Sequence, residues 1–315
     1  MATVEVPTEK WSGKIRELKL GGNGRKSVVI GGETTLPFLH FDGTIPNPPA
    51  IAIEVHDRPP ADWAPSLVSV WGDAMKSPVT WAKKAVEFGA QVVLLYLKSA
   101  HPEDKNTGAA EATTTVSDVL AAIDVPLIVV GPGVADKDNE VLVAAADAAR
   151  GQRIALGNCV EKNYRTIAAA AIANGHVVIA QTPIEINLAK QLNILLSDMG
   201  VSPDAIIMDP TTGALGYGLE YVYSVIERLR LAGLQGDSMT AMPMLNSVGE
   251  ETWRQKESKA AEGVPETWGD LEQRALTWEQ VTATGVLVAG SDLVVLRHPK
   301  TVELTKSTIA KLMTK

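Results

Sequence analysis

The chain has 315 residues, 45% of them hydrophobic and 21% charged, the balance of a soluble globular protein with one large domain or two small ones. Its formal net charge of −8 excludes the basic surface that phosphate backbones require, so nucleic acid is not an expected partner. A single cysteine, Cys159, excludes an internal disulfide and an iron–sulfur cluster held by this chain alone.

The opening stretch, MATVEVPTEKWSGKI, has no apolar core of the kind that marks a signal peptide. No apolar run reaches the length of a membrane span, so the expected location is the cytoplasm. Next, KIRELKLGGNGRKSVVIGG (14–32) predicts a β-hairpin, with Gly21, Gly22, Asn23 and Gly24 supplying the turn. GGNG lacks the Lys–Ser/Thr and the helix start of a phosphate loop. Residues 1–49 form this hairpin and a lead-in that covers one end of the main domain.

From residue 50 onward, eight short runs rich in Val and Ile recur: IAIEV (51–55), VVLLYL (92–97), PLIVV (126–130), RIALG (153–157), HVVIA (176–180), AIIMD (205–209), AMPML (241–245) and LVVLR (293–297). They mostly do not alternate with polar residues, the pattern of parallel strands buried on both faces. Helical patterns separate them, among them residues 137–150, 162–174, 184–199 and 218–232. Gly89, Gly151, Gly175, Gly200 and Gly233 stand where such helices end. Eight strand–helix units over 50–315 predict an α/β fold, a (β/α)8 TIM barrel, in a single domain. A doubly wound sheet would leave units unplaced. Residues 246–285 read as an insertion of two helices after the seventh strand. Its Trp253, Trp268 and Trp278 either pack it onto the barrel or mark a partner surface.

Function in such a barrel sits at the C-terminal ends of the strands. His56, Asp57 and Arg58 follow the first strand, Lys98, Ser99 and His101 the second, Gly131 and Pro132 the third, and His298 the eighth. From the fourth to the seventh strand the ends carry Asn158 and Cys159, Gln181 and Thr182, Asp209, Thr211 and Thr212, and Asn246 and Ser247. Uncharged hydrogen-bonding groups dominate this stretch, which suits amides and carbonyls better than acid–base chemistry. His56 and His101 lack metal-site spacing, and Cys159 reads as a structural thiol. Asp209 either caps its turn or holds a ligand amide or proton.

Three of these strand ends carry a resemblance. GNCVEKNY (157–164), QTPIEINLAKQLN (181–193) and MDPTTGALGYGLEY (208–221) resemble the delta, or small, subunit of the corrinoid iron–sulfur protein of the acetyl-CoA synthase/CO dehydrogenase system. The resemblance covers essentially the whole chain. It implies a barrel paired with a larger subunit, which carries a [4Fe–4S] cluster and a corrinoid-binding domain. Cobalamin would lie at the subunit interface. It would take methyl from methyltetrahydrofolate through a separate methyltransferase and deliver it to acetyl-CoA synthase. The lone cysteine agrees with a cluster held elsewhere, and the chain has no D-x-H-x-x-G motif to supply a cobalt-ligating histidine.

Position at the strand ends selects the expected cofactor-binding residues: Asn158, Gln181, Thr182, Thr211, Thr212, Gly213, Ala214 and Asn246. The glycines of 208–221 would let backbone approach a bulky flat ligand. No catalytic or metal-ligating residue is assigned. Two other readings stand beside this one: a pterin-dependent methyltransferase barrel using Asp209 and Asn158, and a scaffold subunit that barely touches the cofactor.

Overall fold

The computed structural model describes residues 6–314; the first five residues of the lead-in and the last residue of the barrel segment lie outside the described residues. A short antiparallel hairpin comes first, β1 (Leu18–Leu20) with β2 (Val28–Ile30), paired Leu18 to Ile30. Asn23 and Gly24 take positive φ in its turn, as such tight connections require.

The barrel then runs β3 (Ala50–His56), α1 (Pro65–Trp71), α2 (Pro78–Glu87), β4 (Val92–Tyr96), α3 (Ala109–Ala122), β5 (Leu127–Val130), α4 (Ala135–Ala148) and β6 (Ala155–Cys159). It continues with α5 (Tyr164–Asn174), β7 (Val177–Gln181), α6 (Ile186–Asp198), β8 (Ile206–Asp209), α7 (Leu219–Leu234), β9 (Leu245–Asn246), α8 (Val248–Thr252), α9 (Lys256–Lys259), α10 (Leu271–Ala289), β10 (Leu293–Leu296) and α11 (Pro299–Leu312). The eight strands from β3 onward pair in parallel, in the order β8-β7-β6-β5-β4-β3-β10-β9. A parallel bridge, Met208 to Met244, joins β8 to β9 and closes the ring.

Strand sequence explains this arrangement. Ile51, Ile53 and Val55 of β3 face the helices, while Ala50 and Ala52 face the barrel axis. The same alternation along the barrel strands, interrupted in β6 between Leu156 and Cys159, yields two apolar cores, one between sheet and helices and one inside the barrel. Leu18, Leu20 and Ile30 of the hairpin join the inner core. Arg153 and Asp124, which precede β6 and β5, accept backbone bonds from Gly21 and Lys26. The hairpin therefore plugs the N-terminal end and leaves the C-terminal mouth as the open one.

Several boundaries differ from expectation, each for a local reason. The seventh strand shrinks to Leu245–Asn246 because Pro243 has no N–H to give a ladder. The fourth extends to Cys159, so Asn158 is a strand residue, next to a register irregularity against β7. Gly89, Gly151, Gly175 and Gly200 take positive φ, but Gly233 lies inside α7. A Cβ there would meet Thr240 O and Ala241 Cα at 3.1 Å, so Gly233 serves close packing and not termination. Of the expected insertion, only α8 and α9 precede the barrel's own helix, since α10 starts at Leu271 and runs past 285. All three tryptophans are used internally. Trp253 is buried and stacks on His298, Trp278 Nε1 donates to Leu215 O at 3.0 Å, and Arg274 lies over the Trp268 ring.

Candidate functional site at the barrel mouth

The C-terminal mouth has two chemically different halves. One is built by β6 to β9. Gln181 falls on the axial side of β7 with Val177 and Ile179, and Asp209 on the axial side of β8 with Ile207. There Gln181 Nε2 donates to Asp209 Oδ2 at 2.9 Å, and Thr211 N donates to Asp209 Oδ1 at 2.9 Å. Thr211 Oγ1 donates to Thr182 O at 2.6 Å, and Asn246 Nδ2 donates to Thr212 Oγ1 at 3.2 Å. Thr211 sits at φ +60°, a conformation that a β-branched residue adopts at a cost of roughly 1–3 kcal/mol. The bonds to Asp209 and Thr182 hold it there.

Burial is the first cause of the Asp209 shift, and Glu250 and Glu251 add to it. Together they outweigh the bonds from Gln181 and Thr211 and push the carboxyl up to about 7. Two buried polar atoms in this half have no partner among the described residues, Thr182 Oγ1 and Asn246 Oδ1. A cleft of about 400 Å³ opens beside Thr182. Gln181, Thr182 and Thr211 line it, together with apolar Val160, Leu188, Leu192 and Leu195 and the polar Glu161, Lys162 and Gln191. Its walls come from two loop devices. After β6, Asn163 accepts from Val160 N at 2.8 Å and its Nδ2 donates to Asn158 O at 3.1 Å. At the start of α6, the Glu185 carboxylate accepts from Asn187 N and Leu188 N, a side-chain N-cap that suits the helix dipole.

Six of the eight expected cofactor-binding residues, namely Asn158, Gln181, Thr182, Thr211, Thr212 and Asn246, gather on this half. Gly213 and Ala214 are placed differently. A Cβ on Gly213 would stand 2.5 Å from the backbone of Gly218, so that glycine serves the loop's contact with itself. Ala214 is wholly buried and its carbonyl accepts from Tyr217 N and Leu219 N. Asp209 performs the turn-capping role and also holds an amide, that of Gln181.

The other half, from β10, β3 and β4, is ionic. Arg297 donates twice to Glu54, Nε to Oε2 at 2.9 Å and Nη2 to Oε1 at 2.6 Å. His56 Nε2 meets Glu54 Oε1 at 2.6 Å. Burial alone would raise Glu54, but Arg297 and the His56 bond prevail and hold its carboxyl far below the usual range. Burial lowers His56 below the usual imidazole range, and because the Glu54 carboxylate can only accept, Nε2 is the donor in this bond. Tyr96 donates its hydroxyl to Glu250 Oε2 at 2.6 Å, and Lys98 Nζ lies 3.9 Å from the Tyr96 ring centre. Sequence reading missed Glu54, Tyr96, Glu250 and Arg297. The available signal was a Glu and an Arg within the otherwise apolar runs IAIEV and LVVLR.

Cys159 is buried, and desolvation pushes its thiol up to about 12. His101 stays away from His56, and its Nδ1 accepts from Glu103 N. Among the described residues no three His, Cys, Asp or Glu side chains are placed to hold a metal ion, and no helix is long and apolar enough to cross a membrane.

Residues 17–305 match the family described as CO dehydrogenase/acetyl-CoA synthase delta subunit. The chain belongs to that family. Delta-family relatives include the acetyl-CoA decarbonylase/synthase complex subunit delta of Archaeoglobus fulgidus, 40% identical over 97% of this chain and 70% of that protein. Another is the subunit delta of Methanocaldococcus jannaschii, 36% identical over 99% of this chain and 77% of that protein. Among solved structures, dihydropteroate synthase from Xanthomonas albilineans, in complex with indole-2-carboxylic acid and 6-chloroguanine, aligns at TM-score 0.60 and 14% identity. That alignment covers 95% of this chain and 100% of the synthase. The enzyme from Thermus thermophilus gives 0.56 at 14% identity, over 95% of this chain and 100% of the synthase. These likenesses show the barrel fold of this delta-family chain and not its ligand.

Proposed function

We propose that this chain is the small subunit of a methyl carrier and forms one wall of a cobalamin site shared with a larger subunit. That larger subunit would carry the [4Fe–4S] cluster. The carrier would accept methyl from a methyltetrahydrofolate:corrinoid methyltransferase and deliver it to acetyl-CoA synthase. Membership of the delta family supports the assembly. The observation that carries the ligand is the neutral half of the mouth, with two buried, unpartnered polar atoms, one of which, Thr182 Oγ1, belongs to a cleft lined largely by apolar side chains. An unsatisfied buried polar group costs on the order of 1–3 kcal/mol, so Thr182 Oγ1 and Asn246 Oδ1 fit a ligand that hydrogen-bonds. The fringe of a corrin consists of amide arms, which donate and accept without charge.

A bound corrinoid supplies the cobalt chemistry of methyl gain and loss. This chain's residues bind and shield. Thr182, Gln181 and Asn246 offer uncharged hydrogen-bonding groups, while Leu188, Leu192 and Leu195 present apolar wall and exclude water. The cleft is near the small end of ligand pockets, roughly 300–1,000 Å³, and takes part of such a ring. The remainder would rest on the larger subunit. Asp209 is the buried carboxyl of the neutral half among the described residues, and it already accepts on both oxygens.

Co-expression with the larger subunit tests this. Expected are a one-to-one complex and the visible absorbance of a corrinoid that stays with it through gel filtration. A colourless chain that ignores its partner overturns the proposal. The pterin reading draws on Asp209, and methyltetrahydrofolate binding by this chain alone would favour it.

A further inference from the structure

We infer that Asp209 is a positioning residue: it fixes the Gln181 amide with its carbonyl toward the cleft, which becomes a receptor for a primary carboxamide on a short alkyl stem. Gln181 has one donor branch and one acceptor branch. Its Nε2 is committed to Asp209 Oδ2 at 2.9 Å. The ionised Asp209 carboxylate can only accept, and does so on both oxygens, so in that state it dictates which branch of the amide turns inward. That leaves Oε1 as the branch free to face the cleft, which Gln181 lines. Among the described residues nothing donates to it.

Thr182 supplies the complement. It is only 6% exposed, it lines the same cleft, and Oγ1 has no partner among the described residues. The hydroxyl can donate to a ligand carbonyl while Gln181 Oε1 accepts from a ligand N–H. A carboxylate could satisfy the hydroxyl and be drawn by exposed Lys162 elsewhere on the cleft, but at this pair of groups it would face Oε1 with a second acceptor. A hydroxyl lacks the second branch. A primary carboxamide satisfies both. Leu188, Leu192 and Leu195, which also line the cleft, favour an alkyl stem behind it. Thr211 reinforces the geometry, because its bonds to Asp209 Oδ1 and Thr182 O tie the two groups together.

This rests on the corrinoid reading only for the source of the carboxamide, taken as a side arm of the ring. Two measurements separate the two claims. In the ¹⁵N-labelled full chain, propionamide is expected to shift the Gln181 side-chain and Thr182 backbone signals, and propionate to leave them unmoved. Asp209→Asn places a donor against Gln181 and flips the amide, so propionamide affinity falls about tenfold, the equivalent of one hydrogen bond. The swap of Asp209→Asn with Gln181→Glu restores it, because Asn then donates to Glu and leaves an acceptor facing the cleft. A swap that restores nothing, or a wild-type chain indifferent to propionamide, overturns the site. A merely structural Asp209 gives no such rescue. In the complex with the larger subunit, Asp209→Asn is expected to release corrinoid about tenfold more readily, and the swap to retain it. If corrinoid retention ignores Asp209→Asn while propionamide binding responds, the corrin arm is the wrong source. If the wild-type complex holds no corrinoid, the functional reading fails and the propionamide series still decides the site.

Discussion

The two halves of the mouth differ in what their polar groups are for. On the β10–β3–β4 side the charged groups have found partners: Arg297 closes on Glu54, His56 on Glu54, Tyr96 on Glu250, although the buried Nε1 of Trp81, whose ring packs on His56, has none among the described residues. On the β6–β9 side Thr182 Oγ1 and Asn246 Oδ1 are buried and have no partner among the described residues. A paired ionic cluster holds its geometry, whereas a buried polar atom without a partner is open to a ligand. Charge content alone would have pointed to the ionic half as the chemically active one. Hydrogen-bond accounting points to the neutral half.

The largest test of this contrast is Arg297→Met. It leaves Glu54 buried with the Arg297 partner gone and His56 as its remaining side-chain partner among the described residues. Breaking such a pair from one side destabilises by roughly 3–5 kcal/mol, and denaturant unfolding should show it. Replacing both Glu54 and Arg297 by apolar residues should recover most of that loss. If the single variant unfolds like the wild type, the ionic half is not a structural wall.

Asp209 gives the second test, through pH. Its carboxyl is raised in the fold to about 7, against about 3.9 in an unfolded chain. Between those values the folded state holds a proton that the unfolded state has lost. Its stabilising contribution is therefore complete below about pH 4 and declines as pH rises to about 7, by about 1.4 kcal/mol per unit at most. Asp209→Asn should flatten that part of the stability–pH profile. Glu54 has the opposite sign: its depressed value gives stability that is present above the unfolded carboxylate range and lost only in strong acid. A profile unchanged by Asp209→Asn would mean that Asp209 is solvated at the mouth.

Much of this was legible in sequence and some was not, for reasons that differ by residue. Runs such as VVLLY and IIMD are buried on both faces, and burial on both faces is what an unbroken apolar run encodes. Gln181, Thr182 and Asp209 stand at or directly after the ends of such runs, so strand-end position found them. Glu54 and Arg297 are far apart in the chain, and their pairing depends on β3 and β10 being neighbours in the ring. Strand order, unlike strand existence, has no local signal. Gly213 was legible as a residue, but its close contact with Gly218 was not, because Gly218 is brought back by a bend whose course no short motif prints.

Gly213→Ala probes that bend. The added Cβ would meet Gly218 backbone atoms at 2.5 Å, so the loop must shift, at roughly 1–3 kcal/mol. Thermal unfolding should record the loss. Amide exchange should place the opening at 211–219, with the hairpin end of the barrel unaffected. A neutral outcome would show that the loop's close contact is dispensable.

The smallest effect separates wall from receptor most directly. Tyr96→Phe deletes one hydroxyl that donates to Glu250 at 2.6 Å and leaves the ring under Lys98 in place. Glu250 keeps Lys98 and Arg254 as partners, at 3.8 and 3.0 Å, so its charge is not stranded. The expected loss is about 1 kcal/mol, that of one intramolecular hydrogen bond. Since Tyr96 belongs to the ionic half, propionamide binding and corrinoid retention should not change beyond that loss of stability. If Tyr96→Phe instead impairs ligand binding as strongly as Asp209→Asn does, the ligand spans the whole mouth, and the ionic half is part of the receptor.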